Sequence, residues 1–282
     1  MAPQKTLLLI EDISCVGRCA ATVALPVLSC AGIHVSLLPT AMLSAHTGGF
    51  GLVFKRDLTQ DMQETLDHWE SIPLRFDAIH VGYLASPAQL PLVRRAIDRY
   101  RTGETLLFVD PVMGDWGKRY QGCPEELADG FRLLCREADL IFPNRTETAL
   151  LLNQDYEKGR DKPEQLLLQL RGLLEMGAKA AMITGVSTGD GFMGAAALDS
   201  GMTAPAIILQ PQLTGHWPGT GDLFASAVES ALLHGKSLAQ ALDIGVKFTF
   251  QCLKEAPAAP ALSRFGAPFE RQLPWLIEAL GD

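Results

Sequence analysis

The chain has 282 residues, of which 48% are hydrophobic and 20% charged. This composition can bury a full core, so it excludes general disorder. The net charge of −8 argues against nucleic acid or an anionic membrane as the main partner. The sequence has no signal-peptide pattern at its start and no apolar run of membrane-spanning length, and its six cysteines form no CxxC pair. We therefore expect a cytoplasmic protein.

The first half of the chain alternates between apolar runs and stretches with helical spacing. In chain order the pattern predicts a strand at 6–11, a helix at 17–32, a strand at 33–38, a helix at 57–70, a strand at 77–83, a helix at 87–100 and a strand at 104–109. Pro26 lies within the first helix, where we expect a kink or a break. The glycine-rich stretch 45–51 is predicted to be a loop.

The second half continues the alternation and ends in helices. It is predicted to contain helices at 125–136, 144–152, 163–176, 219–234, 238–253 and 269–280, and strands at 139–142, 179–184, 191–198 and 204–209. The last two strands are expected to form a meander at one edge. Apolar strands separated by helices are typical of a mostly parallel sheet that is covered on both faces. We therefore predict an α/β fold, a single-domain three-layer sandwich over residues 1–282, with its site beyond the carboxyl ends of the strands.

The segment Gly219-Thr220-Gly221-Asp222 opens the first helix of the last third. The first amides of a helix have no intrahelical partner and lie at the positive end of its dipole, so this turn is a candidate anion hole for a phosphoryl group. The carboxylate of Asp222 could accept a proton from a hydroxyl during phosphoryl transfer. The alternative is that Asp222 is an ordinary first-turn acid and that the glycines only form a tight turn.

Polar residues also follow four of the predicted strands. They are Glu11 and Asp12, then Tyr83, then Asp110 and Asp115, and finally Asn144 and Glu147. Structural explanations exist, because Asp110 precedes a proline at a turn and Asn144 could cap a helix in a capping box with Glu147. However, acids that meet in one crevice repel one another unless a cation or a metal–phosphate complex lies between them. Together with the anion hole, the set fits phosphoryl transfer.

These motifs resemble a known family. The segment 219–222 resembles the signature of the ribokinase-like superfamily, and the segments 12–18 (DISCVGR), 44–51 (SAHTGGFG) and 110–115 (DPVMGD) resemble pyridoxal/pyridoxamine kinases. The correspondence runs in matching order from about residue 6 to about residue 253. The resemblance implies a ribokinase-like fold and a kinase that transfers the γ-phosphoryl group of ATP to the hydroxymethyl group of a vitamin B6 vitamer.

The resemblance also implies roles for individual residues. Asp222 would be the base, and three backbone amides would bind the developing negative charge, those of Gly219, Thr220 and Gly221. The pyridine ring would be bound by Asp12, Thr47 and Tyr83. ATP would be bound by Asp110, Asn144, Glu147, Thr184 and Gly185. Mg²⁺ would be held, directly or through water, by Asp115 and Glu147.

Relatives of this kind are typically homodimers that use a monovalent cation, K⁺ or Na⁺, as well as Mg²⁺, so the resemblance implies both. Two alternatives stay open. One is a hydroxymethylpyrimidine kinase of the same fold. The other is a non-catalytic protein that binds a B6 vitamer or a nucleotide.

Overall fold

The computed structural model describes residues 4–256 and 260–281. Within them, nine strands form one sheet in the order β11-β10-β9-β8-β5-β4-β1-β2-β3, and β6 and β7 form a separate hairpin. The strands are β1 Thr6–Ser14, β2 His34–Leu43, β3 Lys55–Asp57, β4 Ala78–Val81, β5 Leu106–Val109, β6 Gly114–Asp115, β7 Lys118–Arg119, β8 Leu140–Ile141, β9 Ala180–Ser187, β10 Phe192–Asp199 and β11 Ala206–Pro211. Six neighbouring strands pair in parallel, in the order β9, β8, β5, β4, β1 and β2. Strand β3 pairs antiparallel with β2, and β9, β10 and β11 form an antiparallel meander. The predicted α/β fold class and the meander are confirmed.

Helices cover both faces of the sheet. They are α1 Ala21–Cys30, α2 Thr59–Trp69, α3 Leu90–Tyr100, α4 Glu125–Glu137, α5 Arg145–Leu151, α6 Pro163–Met176, α7 Thr220–Leu233, α8 Leu238–Lys254, α9 Pro260–Ser263 and α10 Leu273–Leu280. Single 3₁₀ turns precede α3 and α10. In the described part of the chain, no helix combines the length and the apolar character needed to cross a bilayer.

Strand β1 shows why the sheet must be covered on both sides. Leu8 and Ile10 pack into the core formed with α2, α3, α4 and α6, whereas Leu7 and Leu9 pack into the core formed with α1, α7 and α8. All four side chains have no exposed surface. Successive strand side chains point to opposite faces, so an unbroken apolar run is buried only between two helical layers.

Several predicted boundaries are wrong for local reasons. Helix α1 begins at Ala21 rather than at residue 17, because Gly17 and Ala20 have φ angles of 92° and 55°, outside the right-handed helical region. The helix continues through Pro26, so the predicted break does not occur. Helix α2 begins at Thr59 rather than at residue 57, because residues 55–57 form edge strand β3. The carboxylate of Asp57 accepts the N–H of Thr59 at the start of the helix.

Candidate active site

The amino end of α7 has the geometry expected of an anion hole. Gly219 precedes the helix with a φ of 79°, and a Cβ atom at this position would lie 2.0 Å from the carbonyl oxygen of Arg18. Only glycine fits both restrictions. The N–H of Leu223 bonds to the carbonyl of Gly219, so the amides of Thr220 and Gly221 precede the first intrahelical bond. A Cβ atom on Gly221 would lie 4.0 Å from Oδ2 of Asp110, which directly follows β5, so this end of α7 is close to the carboxyl ends of the strands.

Asp222 lies in the first turn of α7, half-buried in this crevice. Its Oδ2 accepts the backbone N–H of Ala20 at 2.7 Å. Burial and then the nearby carboxylate of Glu11 raise the pKa of Asp222 to about 6. A carboxylate with this pKa is a stronger base than an exposed aspartate and is still ionised at neutral pH.

The segment that contacts Asp222 has an unusual backbone. Ala20 combines a φ of 55° with a ψ of −137°, a conformation that L residues rarely adopt. Its N–H points at Asp222, and burial and the charge of Asp222 raise the pKa of the neighbouring Cys19 thiol well above its usual value. The thiol is therefore neutral and can donate to the carboxylate.

The predicted substrate-binding residues lie in β1, directly after β4 and in the 45–51 loop. Asp12 is buried and accepts the hydroxyl of Ser14 at 3.0 Å, and burial together with Glu11 raises the pKa of Asp12 to about 8. Tyr83 is half-buried, and its hydroxyl accepts a hydrogen bond from Lys55 Nζ at 2.6 Å. Thr47 is exposed in the predicted 45–51 loop, and a Cβ atom on the next residue, Gly48, would lie 3.2 Å from the side chain of Pro218, the residue before Gly219.

The predicted nucleotide-binding residues lie on the neighbouring strand ends. Asn144 and Glu147 form the capping box of α5, so the structural explanation offered by their spacing is confirmed. The same pair also fixes the 110–115 turn, because Glu147 Oε1 accepts the N–H of Met113 at 3.1 Å and Asn144 Nδ2 donates to the carbonyl of Gly114 at 2.8 Å. Capping therefore holds the turn that carries Asp110 and Asp115.

The surroundings of the carboxyls at this end of the crevice disfavour their charged forms. Burial raises the pKa of Asp110 well above its usual value, and the charge of Asp222 raises it further. Burial and then Asp110 likewise raise the pKa of Glu147. Asp115 is half-buried, and burial raises its pKa too. In residues 4–256 and 260–281, no group of three or more His, Cys, Asp or Glu side chains has the geometry of a complete metal site. Mg²⁺ is often held by one or two carboxylates together with substrate phosphates, and these acids fit that role.

Thr184 and Gly185 lie beside this group. The N–H of Thr184 bonds to the carbonyl of Pro143 at 3.0 Å, and Thr184 forms a parallel bridge with Asn144. Gly185 is exposed and has a φ of 72°. The two residues therefore lie in β9, beside Asn144 at the start of α5.

Sequence reasoning missed a buried charged row beneath the crevice. His80 of β4 lies between two carboxylates, with its Nδ1 2.5 Å from Glu229 of α7 and its Nε2 3.5 Å from Glu11 of β1. The available signal was the presence of His80 and Glu229 in otherwise apolar elements, where an ionisable residue is buried only with a partner.

The C-terminal segment supports both loops that border the crevice. His46 Nε2 lies 2.5 Å from the carbonyl oxygen of Arg264, and the N–H of Arg18 bonds to the carbonyl of Phe265 at 3.0 Å. Arg18 also forms an ion pair with Glu270. The segment 264–270 therefore holds the 15–20 and 45–51 loops in place.

Comparisons with known proteins agree with this geometry. The profile of the phosphomethylpyrimidine kinase family matches residues 40–263. A pyridoxine/pyridoxal/pyridoxamine kinase of Bordetella avium is 31% identical over 91% of this chain and 88% of its own. Pyridoxal kinase of Lactobacillus plantarum superposes with a TM-score of 0.87 at 32% identity, covering 97% of both chains. A candidate phosphomethylpyrimidine kinase of Bacteroides thetaiotaomicron, in a crystal form with pyridoxal, superposes with a TM-score of 0.90 at 34% identity, covering 97% of this chain and 96% of its own.

Proposed function

The chain belongs to the pyridoxal kinase family of the ribokinase-like superfamily and is a phosphotransferase that acts on an alcohol group; on that premise we propose that it phosphorylates the 5′-hydroxymethyl group of a vitamin B6 vitamer with ATP. The observation that carries the proposal is the position of Asp222. This carboxylate, with its pKa of about 6, lies in the same helical turn as the amides of the anion hole.

In the proposed reaction, Asp222 takes the proton of the substrate hydroxyl as its oxygen attacks the γ-phosphorus of ATP. The bond from that phosphorus to the β,γ-bridging oxygen breaks, and ADP leaves. The amides of Gly219, Thr220 and Gly221 stabilise the negative charge that develops on the transferred group. Most of the acceleration comes from holding the two reactants together, and the base contributes about 10²–10⁴-fold.

The pyridine ring is proposed to bind among Asp12, Thr47 and Tyr83. Asp12, with its pKa of about 8, is largely protonated at neutral pH, so its carboxyl can donate a hydrogen bond as well as accept one. The Tyr83 hydroxyl accepts from Lys55, which leaves its own hydrogen free for the ligand. This pattern suits a ring that carries both donors and acceptors.

ATP is proposed to lie along Asp110, Asn144, Glu147, Thr184 and Gly185. Mg²⁺ would be held, directly or through water, by Asp115 and Glu147. When bound, it would neutralise phosphate charge. The residues fit this requirement, because Glu147 is a buried acid whose pKa is raised by burial and then by Asp110, and burial also raises the pKa of Asp110. A monovalent cation, a homodimer and a cytoplasmic location stay predictions.

A second candidate function is the phosphorylation of hydroxymethylpyrimidine, and the phosphomethylpyrimidine kinase profile favours it. A coupled ADP-release assay with pyridoxal, pyridoxamine, pyridoxine and hydroxymethylpyrimidine separates the two candidates. We expect ATP-dependent turnover of at least one B6 vitamer. Turnover of the pyrimidine alone would replace the proposal with the second candidate, and tight pyridoxal binding without any product would indicate a non-catalytic binding protein.

A further inference from the structure

The buried row Glu11–His80–Glu229 crosses the core beneath the crevice. Glu11, His80 and Glu229 are 3%, 5% and 1% exposed, so solvent screens their charges poorly. The row joins three separate elements, since Glu11 lies in β1, His80 in β4 and Glu229 in α7. Both ring nitrogens of His80 face carboxylate oxygens, at 2.5 Å for Glu229 and 3.5 Å for Glu11.

This arrangement favours a positively charged imidazole. Burial alone would lower the pKa of His80, but the carboxylates of Glu229 and Glu11 outweigh it and raise the pKa well above its usual value. Both ring nitrogens must carry hydrogen to donate to both carboxylates. His80 is thus a cation in a region where the other ionisable groups are acids.

The row connects α7 with the residues that line the proposed substrate pocket. Glu11 Oε1 accepts the backbone N–H groups of Tyr83 at 2.8 Å and Asp12 at 3.1 Å. Glu11 Oε2 packs so closely on Gly82 that a Cβ atom there would lie 1.8 Å away. At its other end, Glu229 lies two turns beyond Asp222 on α7. Displacement of His80 would therefore be felt at both the pocket and the base.

The charge of His80 also acts on the crevice. Asp222 faces the carboxyls of Glu11, Asp12 and Asp110, the thiol of Cys19 and, as the cation, His80. The charge of His80 lowers the pKa of both Asp222 and Asp110, which opposes the effect of burial.

We propose that His80 is a positioning residue of the phosphoryl-transfer site, whose buried positive charge, held between Glu11 and Glu229, ties α7 to β1 and balances the carboxylates of the crevice. This inference rests on the proposed function for its catalytic meaning. The contacts of the row itself do not depend on which alcohol is phosphorylated.

The first test uses the folded wild-type protein. In ¹⁵N NMR of histidine-labelled protein, assigned through backbone connectivity, both ring nitrogens of His80 should show imidazolium shifts from pH 6 to pH 8. A neutral His80 ring at pH 7 would overturn the proposal, whether or not any variant folds.

The second test compares His80→Gln with Asp139→Asn. Asp139 forms ion pairs with Arg101 and Lys179 just before β8, at the amino end of that strand and away from the crevice, so its variant reports the general effect of losing a partly buried charge. Aspartate carboxyl ¹³C NMR follows Asp222, with its signal identified in Asp222→Asn. In His80→Gln the midpoint of Asp222 should rise by about one pH unit or more. In Asp139→Asn it should stay within about 0.3 of wild type.

Turnover gives the matching kinetic readout. At pH 6.5, kcat of His80→Gln should fall about threefold or more while the KM for ATP stays within about twofold, and the acid limb of its pH profile should move to higher pH. An unchanged Asp222 midpoint in folded His80→Gln would reduce His80 to a packing role. If the wild type turns over no B6 vitamer, the proposed function fails, and the two NMR measurements still decide the role of His80.

Discussion

Replacing Asp222 by Asn tests the base directly. The change is nearly isosteric, and the amide oxygen can still accept the N–H of Ala20 that Asp222 accepts at 2.7 Å. The variant therefore loses the charge and the basicity of residue 222 but keeps the contact that orients it. We expect kcat for pyridoxal phosphorylation to fall about 10²–10⁴-fold, the usual contribution of a general base.

The same variant should retain its nucleotide site. Asn144 and Glu147 are held by contacts with α5 and the 110–115 turn that do not involve residue 222. The Kd for ATP, measured by isothermal titration calorimetry, should stay within about twofold of wild type. Thermal unfolding should show an equal or higher Tm at pH 8, because the variant removes a carboxylate whose charge is opposed by burial and by Glu11.

The pH profile of the wild type gives the sign of the effect. With a pKa of about 6, Asp222 is about 90% ionised at pH 7 and about 10% ionised at pH 5. The kcat/KM for pyridoxal should therefore fall roughly tenfold over those two units of pH. If Asp222→Asn keeps more than about a tenth of wild-type kcat, or if its residual activity follows the wild-type acid limb, Asp222 is not the base.

Three further substitutions test other parts of the site. Gly219→Ala places a Cβ atom 2.0 Å from the carbonyl oxygen of Arg18, so Tm should fall and kcat should drop at least about 100-fold. Wild-type values in kinetic and melting assays would contradict the anion hole. Asp12→Asn tests whether the stability of the protein depends on the protonation of Asp12. The pKa of Asp12 is raised from 3.8 to about 8 in the folded protein, so the wild type loses stability as the pH rises between these values. The Tm of the variant should therefore exceed that of the wild type by about 2–4 °C at pH 8 but by much less at pH 5. A pH-independent difference in calorimetric Tm would argue against the raised pKa. Lys55→Met removes the cation that donates to the Tyr83 hydroxyl. The KM for pyridoxal should therefore rise by about three- to tenfold without a change in the KM for ATP. Equal changes in both constants would show that Lys55 acts on the whole fold.

Much of the fold followed from local patterns. Helix α6 was predicted at 163–176 and is observed at Pro163–Met176, because a proline at its first position and a glycine after its end mark both limits. The capping box of Asn144 and Glu147 was likewise readable from the spacing of two residues. Such features depend on neighbours within one or two turns of chain.

The features that were missed depend on distant partners. The N–H of Ala20 is bound by a residue 202 positions away, and His80 is 149 positions from Glu229. Neither spacing leaves a periodic signal in the sequence. The positive φ of Ala20 could not be predicted either, because the residue at this position is not a glycine. Predicting these contacts requires knowledge of which strand ends and which helix meet, which a single sequence supplies only through resemblance.

Residues 264–270 support the loops beside the crevice without belonging to the predicted catalytic or binding residues. These residues lie beyond all the predicted catalytic and binding positions, yet they contact His46 and Arg18 in the loops on either side of the crevice. A protein shortened just before Arg264 would keep all the predicted catalytic and binding residues, but the 15–20 and 45–51 loops would lose these contacts. Selection for activity can therefore act on residues 264–270 as well as on the residues that meet the substrate.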